Sequence, residues 1–336
     1  MTLSNTQVLL KARPEGLPKD SDFEVVEKPV EEVGEGQVLV RNIYLSLDPA
    51  MRGWMTDRKS SVPPIPLGGV MRGLTVGEVM ESRDDRFSPG DLVSGVLGWQ
   101  THAVTQGKHL DKLPAGTPLT MAMGPLGMTG LTAYFGLFDV GEPKEGETVV
   151  VSGAAGAVGS VVGQLAKIRG CRVVGLAGSA DKCQWLEELG FDVAINYKEG
   201  NLHKAIQEAC PNGIDVYFDN VGGEILDTML RSINLRARVV ICGAISQYNA
   251  TEPPPGPANY LSLLINRGRM EGFIVFDYQD RYVEAQKDLG RWLAEGKIQY
   301  RSDIVDGLEN APQALLRLFD GRNTGKLMVR MGPEPG

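Results

Sequence analysis

The chain has 336 residues, of which 42% are hydrophobic and 23% charged, and its formal net charge is −8. This size and composition predict a globular protein of about two domains, and the acidic balance without basic runs argues against nucleic acid or an anionic membrane as the partner. The first residues lack the apolar core of a signal peptide, and no apolar run approaches the ~18 residues of a membrane span, so a cytoplasmic protein is expected.

The N-terminal part, residues 1–123, is predicted to form a β-rich, barrel-like domain. It is rich in proline and glycine and carries the short β-like runs "QVLVRNIYLSL", "GLTVGEVMES" and "DLVSGVLGWQTHAVT". Closely spaced strands with turn signals are typical of a compact all-β unit. The C-terminal stretch "APQALLRLFDGRNTGKLMVR" predicts a helix, a turn and a strand that return to this domain.

From Gly124 onward, strands alternate with helices. The strands are predicted at "TVVVSGA", "CRVVGLA", "DVAINY", "DVYFDNVGG" and "ARVVICGAI", and helices follow in "VGSVVGQLAKIRG" and "SADKCQWLEELG". Continuous apolar strands separated by helices predict a doubly wound parallel sheet covered on both faces. The proline-rich run at 250–257 predicts a surface loop.

A cluster of small residues joins the first of these strands to its helix, in "VVVSGAAGAVGSVVGQLAK". The three glycine positions of the dinucleotide fingerprint G-x-G-x-x-G fall here on Ala154, Gly156 and Gly159. Because the first glycine is replaced, the motif alone fits either a pyrophosphate-binding loop or a tight turn between a buried strand and a buried helix. The surrounding strand–helix units supply the context that the fingerprint requires, which favours a dinucleotide site.

The end of the second strand distinguishes the two nicotinamide cofactors. An NAD site usually has an acidic residue there to bind the ribose hydroxyls, whereas this chain reads "GLAGSADK", with Asp181 already inside the next helix. Ser179 and Lys182 can instead donate to a 2′-phosphate, so NADPH is favoured over NADH. The alternative is that Ser179 only caps the helix and Lys182 is a solvated helix lysine.

The cysteines and histidines predict no metal site. Cys171, Cys183, Cys210 and Cys242 form no CxxC pair, and the three histidines show no ligand spacing. Zinc sites need three or four such ligands brought together. A zinc-type alcohol dehydrogenase is therefore not expected.

Long motifs along nearly the whole chain resemble one family. They are "YLSLDPAMRGWM", "GPLGMTGLTAYFGL", "AAGAVGSVVGQLAK", "GCRVVGLAGS", "YFDNVGG", "ICGAISQYN", "RMEGFIVFDY" and "GKIQYRSDIVDGLENAPQALLRLFDGRNTGKLMV". In these motifs the chain resembles the zinc-independent medium-chain dehydrogenase/reductase superfamily. Within it, the chain most resembles the branch of prostaglandin reductases, leukotriene B4 12-hydroxydehydrogenases, curcumin reductases and NADP-dependent alkenal double-bond reductases.

The resemblance implies an α/β fold with two domains. A β-rich GroES-like catalytic domain would comprise residues 1–123 and 302–336, and a Rossmann-type doubly wound parallel-sheet domain would be inserted at 124–301. The resemblance further implies that NADPH binds in the cleft between the domains and that the protein is a homodimer.

The resemblance also implies which residues contact the cofactor. They are Ala155, Gly156, Ala157, Val158 and Gly159 at the pyrophosphate, Ser179, Lys182 and Tyr197 at the phosphate-ribose end, and Asn220, Cys242, Gly243, Ala244, Ile245, Ser246, Tyr248, Phe273, Ile274, Val275 and Asn323 at the ribose and nicotinamide. From the residues alone, Tyr197 fits a strand edge equally well, Asn220 fits a turn, and Phe273–Val275 fits a core strand.

Without a metal, an acceptor activated by conjugation fits best. Hydride addition to the β-carbon of an enone or enal leaves an enolate oxygen that needs hydrogen-bond donors, and the α-carbon is then protonated. Tyr248 is the first candidate donor, with Tyr260 and Tyr44 ranked lower, unless Tyr248 is a structural tyrosine tied to its loop. Ile265 stands where some eukaryotic relatives carry a substrate-contacting tyrosine, so the proton can instead come from water.

Two other functions use the same cofactor site. A quinone oxidoreductase would reduce a ring carbonyl system, and a non-catalytic NADPH-binding protein would bind the cofactor without turnover. The leading prediction is an NADPH-dependent reductase of activated carbon–carbon double bonds that acts on a small-molecule enone or enal without a metal.

Overall fold

The computed structural model describes residues 3–57 and 62–335. The strands are β1 Ser4–Leu10, β2 Phe23–Pro29, β3 Gln37–Ser46, β4 Thr75–Ser82, β5 Leu92–Gly95, β6 His102–Gln106, β7 Leu110–Lys112, β8 Thr148–Val151, β9 Arg172–Ala177, β10 Val193–Asn196, β11 Ile214–Asp219, β12 Ile233–Ile241, β13 Arg269–Gly272, β14 Ser302–Asp306 and β15 Lys326–Arg330. The helices are α1 Met51–Trp54, α2 Leu119–Met123, α3 Met128–Phe135, α4 Ala157–Ile168, α5 Ala180–Glu188, α6 Leu202–Ala209, α7 Gly223–Leu230, α8 Leu261–Asn266, α9 Tyr282–Ala294 and α10 Ala311–Asp320.

Two compact units divide the chain. One comprises Met1–Met123 and Ser302–Gly336, and the other comprises Gly124–Arg301. The first unit therefore contains both ends of the chain, and the second is inserted into it.

The first unit is built on a seven-stranded sheet with the order β14-β15-β3-β4-β5-β7, and β6 pairs with β3. β15 lies between β14, to which it is parallel, and β3, to which it is antiparallel. A separate antiparallel pair is formed by β1 and β2. The predicted β-rich fold is confirmed, and β15 joins its sheet by pairing with β3. The sequence analysis missed β14.

The side chain of a buried lysine holds β15 in the first unit through hydrogen bonds. Lys326, which opens β15, is 3% exposed. Its ammonium donates to the carbonyl oxygens of Leu47 (2.9 Å) and Leu327 (3.0 Å) and to a carboxylate oxygen of Asp48 (3.1 Å). Because a buried ammonium needs such partners, these bonds fix β15 against the segment that follows β3.

The second unit is a six-stranded parallel sheet with the order β10-β9-β8-β11-β12-β13. This arrangement has the 3-2-1-4-5-6 order of dinucleotide-binding sheets. On β8, Val149 and Val151 pack in the hydrophobic cluster that includes α3, α4 and α9, whereas Val150 packs in the cluster that includes α6 and α7. Helices cover both faces, so the predicted doubly wound fold is confirmed.

One apolar run does not continue as a strand. β13 ends at Gly272, and a 3₁₀ segment, Val275–Arg281, begins three residues later. The ring of Phe273 turns into the core, where it packs edge-on against Phe218 with the ring centroids 6.4 Å apart. The interpretation of Phe273–Val275 as a core strand is therefore wrong.

Candidate functional site

The loop between β8 and α4 has the geometry of a phosphate cradle. Gly153 has a φ of 57°, which favours glycine. A Cβ on Gly159 would lie 2.5 Å from the carbonyl oxygen of Gly153, so the helix start and the loop are packed too closely for a side chain. Ala154 is fully buried and its amide donates to the carbonyl of Leu176, so a small side chain suffices where the fingerprint has its first glycine.

The start of α4 can bind an anion. Gly156 is the N-cap residue of this helix and has no side chain that could bond its first amides. Free amides in the first turn, together with the helix dipole, favour a phosphate group. The residues from Ala155 to Gly159 therefore fit the pyrophosphate of a dinucleotide, as the resemblance implies.

A second cluster of donors lies at the end of β9. Ser179 is the N-cap residue of α5, and its side chain makes no capping hydrogen bond. The hydroxyl of Tyr197 lies 3.0 Å, and Cε of Lys198 lies 3.2 Å, from the position that a Cβ on Gly178 would occupy. Lys182 is in the first turn of α5. A serine, a tyrosine and two lysines without an acid at the strand end fit a 2′-phosphate better than a free ribose hydroxyl.

Tyr197 and Lys198 both lie directly after β10. Burial raises the pKa of Tyr197, so its hydroxyl stays protonated and can donate at neutral pH. Lys198 was missed by the sequence analysis, although it stands next to Tyr197 in the "NYK" run. The approach to Gly178 of the residues that follow β10 brings Lys198 to the cluster.

Asn220 follows β11 and lies against the glycine loop. Its backbone amide donates to Oγ of Ser152 (2.9 Å), and its side-chain amide donates to the carbonyl of Ser152 (2.7 Å). Its own carbonyl accepts from the amide of Ile245 (3.3 Å). Asn220 therefore joins the loop after β8 to the loop after β12, and no described residue donates to its Oδ1.

The run after β12 curls around Tyr248. The amides of Cys242 and Gly243 donate to the carbonyl of Asp219, which holds the run at the sheet edge. The amide of Ala244 donates to the hydroxyl of Tyr248 (3.2 Å). Burial raises the pKa of Tyr248 and raises that of Cys242 to about 12, so both are protonated at neutral pH.

The hydrogen bond between Tyr248 and its own loop does not use the phenol hydrogen. The hydroxyl acts as the acceptor in its bond with Ala244, so its hydrogen is left to donate to another group. A phenol that accepts from a backbone amide is also a better donor, because the amide stabilises charge on the oxygen. Tyr248 can therefore be bonded to its own loop and still donate a hydrogen bond to a substrate.

The other predicted residues are placed in different surroundings. Tyr260 is the N-cap residue of α8 and is 58% exposed. Tyr44 belongs to the first unit, where it is buried and its hydroxyl donates to Glu334 (2.6 Å). Asn323 is also in the first unit and donates to the carbonyl of Gly325 (3.4 Å). Ile274 is 42% exposed, and Val275 opens the 3₁₀ segment.

Within residues 3–57 and 62–335, no three His, Cys, Asp or Glu side chains are grouped so that they could hold a metal ion. In the same residues, no helix has the length and apolar character needed to cross a membrane.

Known proteins resemble both parts of the chain. Residues 6–113 match the family described as "N-terminal domain of oxidoreductase", and residues 157–289 match the family described as "Zinc-binding dehydrogenase". The NADPH-dependent curcumin reductase of Escherichia coli is 47% identical over 339 positions, covering 98% of each chain. The 2-alkenal reductase (NADP(+)-dependent) of Nicotiana tabacum is 45% identical over 340 positions, covering 99% of each chain.

The chain is also similar to a protein whose structure was solved with NADPH. The crystal structure of CurA in complex with NADPH from Vibrio vulnificus has a TM-score of 0.94 and 44% identity to this chain. It covers 98% of this chain and 100% of its own. The fold is therefore shared over the whole length.

Proposed function

The chain belongs to the zinc-independent medium-chain dehydrogenase/reductase family, and on this premise we propose that it is an NADPH-dependent reductase of the carbon–carbon double bond of α,β-unsaturated ketones and aldehydes. One observation carries the proposal. A glycine loop that fits a pyrophosphate follows β8, and a basic cluster without an acid at the strand end follows the neighbouring strand β9. Relatives named as curcumin and 2-alkenal reductases support the substrate class.

Each part of the second unit has a binding task in this proposal. The amides from Ala155 to Gly159 bind the pyrophosphate, and Ser179, Lys182 and Tyr197 bind the 2′-phosphate, with Lys198 adding charge. Asn220 and the run 242–248 contact the ribose and nicotinamide, and Phe273–Val275 complete that end.

The chemistry that bound NADPH supplies is a hydride for the β-carbon of the enone. As that bond forms, the π electrons of the double bond move towards the carbonyl and leave negative charge on its oxygen. Tyr248 would donate a hydrogen bond to that oxygen and keep its proton, because its phenol is protonated and accepts from Ala244. Water would then protonate the α-carbon and leave hydroxide as the carbonyl double bond re-forms, which yields the saturated ketone or aldehyde.

A product assay tests the proposed function. NADPH and NADH oxidation is followed with 2-alkenals, enones, dienones and quinones, and the products are identified by mass. We expect saturated ketones or aldehydes and a strong preference for NADPH. Hydroquinone as the dominant product would make the protein a quinone oxidoreductase, and tight NADPH binding without turnover on the whole panel would make it a binding protein.

Tyr248→Phe tests the donor role. We expect kcat/KM on an enone to fall about 10-fold or more, because one hydrogen bond to the charged oxygen of the transition state is lost. Tyr260→Phe is the matched control, since Tyr260 is more than half exposed and should matter less. Wild-type kcat/KM in Tyr248→Phe would remove this residue from the mechanism.

We further propose that the protein is a homodimer joined at β13. Within the described part of the chain, this edge strand pairs with β12 alone, and its flank exposes Met270 and Ile274. On α8, Leu264 is 73% and Ile265 is 69% exposed. An open strand edge bordered by apolar side chains is a template for pairing with a second copy.

Light scattering tests the dimer, with twice the 36.3 kDa mass of the chain expected in solution. Leu264→Glu should shift the mass towards the monomer, and Leu235→Glu, at another exposed leucine, should not. A monomeric wild-type protein would refute this part of the proposal.

We also propose a cytoplasmic location, which the four free cysteines support, because reducing compartments keep thiols unpaired. Recovery of the protein in a secreted fraction would contradict it.

A further inference from the structure

A buried carboxylate organises the end of β11. Asp219 is fully buried, and its Oδ1 accepts from the hydroxyls of Ser152 (2.8 Å) and Tyr217 (2.7 Å) and from the amides of Val221 and Gly222 (both 3.0 Å). Its Oδ2 is buried and has no hydrogen-bond partner among the described residues. Oδ1 therefore accepts from four donors, three of which come from its own segment.

The fourth donor, Ser152, comes from the loop after β8 and is itself fully buried. Its hydroxyl hydrogen is committed to Asp219, so its oxygen can only accept elsewhere, and it accepts from the amide of Asn220. The Ser152 carbonyl accepts from the Asn220 side-chain amide. Both the backbone and the side chain of Asn220 are therefore fixed by one serine.

This arrangement determines which face of the Asn220 amide is available. With Nδ2 bound to the Ser152 carbonyl, Oδ1 is the atom left to interact, and it is an acceptor. An acceptor suits a ribose hydroxyl, which donates. A rotated amide would offer a donor and would leave the Ser152 carbonyl facing an oxygen.

We propose that Ser152 and Asp219 are positioning residues that hold Asn220 so that its Oδ1 accepts from the ribose hydroxyl on the nicotinamide side of NADPH. This inference rests on the proposed function for the identity of the cofactor. In this proposal the Ser152 hydroxyl and the Asp219 carboxyl act through Asn220. They should therefore influence the nicotinamide half of the cofactor and leave the adenosine half unaffected.

The test compares two ligands by calorimetry, NADPH and 2′,5′-ADP, which carries only the adenosine half. In Ser152→Ala, we expect the Kd for NADPH to rise about 3- to 10-fold, as for one lost hydrogen bond, and the Kd for 2′,5′-ADP to stay within about twofold. Tyr217→Phe is the matched control, because it removes another bond to the same Oδ1 but leaves Ser152 and Asn220 joined. It should lower the thermal stability and leave both Kd values unchanged.

A double-variant cycle separates positioning from general packing. Asn220→Ala should weaken NADPH binding as Ser152→Ala does, and adding Ser152→Ala to it should have little further effect, because the residue that transmits the effect is gone. Additive losses, or equal losses for NADPH and 2′,5′-ADP, would overturn the proposal. An unchanged NADPH affinity in Asn220→Ala would also overturn the proposal. This result can be obtained even if Ser152→Ala fails to fold.

These measurements do not depend on turnover. If the wild-type protein binds NADPH but reduces no enone, the proposed reaction is wrong while the binding cycle still reports on Ser152 and Asn220. If it binds 2′,5′-ADP but not NADPH, both proposals fail.

Discussion

Alanine substitutions at two helical glycines of the second unit should have opposite effects. A Cβ on Gly159, in the first turn of α4, would lie 2.5 Å from the carbonyl oxygen of Gly153 and 2.8 Å from Cα of Ala154. Both are backbone atoms that no change of rotamer can move, so the loop between β8 and α4 must itself shift. A Cβ on Gly290, inside α9, would meet nothing closer than 3.9 Å.

The two changes differ in sign because one overpacks the fold and the other only stiffens a helix. Overpacking lowers the free energy of unfolding by about 1–3 kcal/mol, whereas glycine to alanine at an unstrained helix position raises it by about 0.5–1 kcal/mol. For a unit of this size we expect Gly159→Ala to lower Tm by about 2–12 °C and Gly290→Ala to raise it by about 1–4 °C.

Thermal unfolding with and without NADPH measures both consequences. NADPH should raise the wild-type Tm by binding the native state. Most of that rise should be lost in Gly159→Ala, because its displaced loop amides no longer meet the pyrophosphate, and kept in Gly290→Ala. If Gly159→Ala had the wild-type Tm and the wild-type NADPH shift, the close approach of loop and helix would be refuted.

Three further effects are expected. Burial raises the pKa of Tyr44 to about 12, so the unfolded chain loses this proton first and the free energy of unfolding should fall as pH rises above about 10. Urea unfolding between about pH 8 and 11 measures this, and Tyr44→Phe should flatten the slope. Arg238→Met leaves the partly buried Glu147 without its ion-pair partner, so it should lower the free energy of unfolding by about 2–3 kcal/mol. A free energy of unfolding equal to that of the wild type in Arg238→Met would contradict this. Lys198→Met should weaken NADPH but not NADH, with Lys204→Met as the control, and equal losses for both cofactors would remove Lys198 from the 2′-phosphate cluster.

The alternation of buried strands and helices made the second unit predictable from local pattern alone. The four residues of β8 are all buried, and a continuous apolar run is typical of a parallel strand covered on both faces. β14 escaped prediction because its run "SDIVD" contains two aspartates, which are depleted in strands, and is held by its pairing with β15. Phe273 was misassigned because its apolar neighbourhood reflects a ring packed into the core rather than strand periodicity.

Some residues of the candidate site could be predicted from short sequence motifs, and others are brought together only by the fold. The glycine loop and the missing acid after β9 are short sequence features, so they indicated a phosphate cradle and a preference for NADPH. Ser152 and Asp219 carry no such signature, since they meet across 67 positions only when β8 and β11 lie side by side. Lys198 is similar, because its approach to Gly178 depends on the pairing of β9 with β10.

The pairing of β15, the last strand in the chain, with the early strand β3 has a consequence for biosynthesis. The hydroxyl of Tyr44 bonds to Glu334, 290 positions later, and β15 pairs along β3 in the same region. On the ribosome, β6 can cover the first half of the β3 edge early, but Tyr44–Ser46 stay unpaired on that edge until β15 has emerged, whereas every strand of the inserted unit is already available. The inserted unit should therefore fold first, and a chain that stalls before Lys326 would expose a sheet edge on which nascent chains can aggregate.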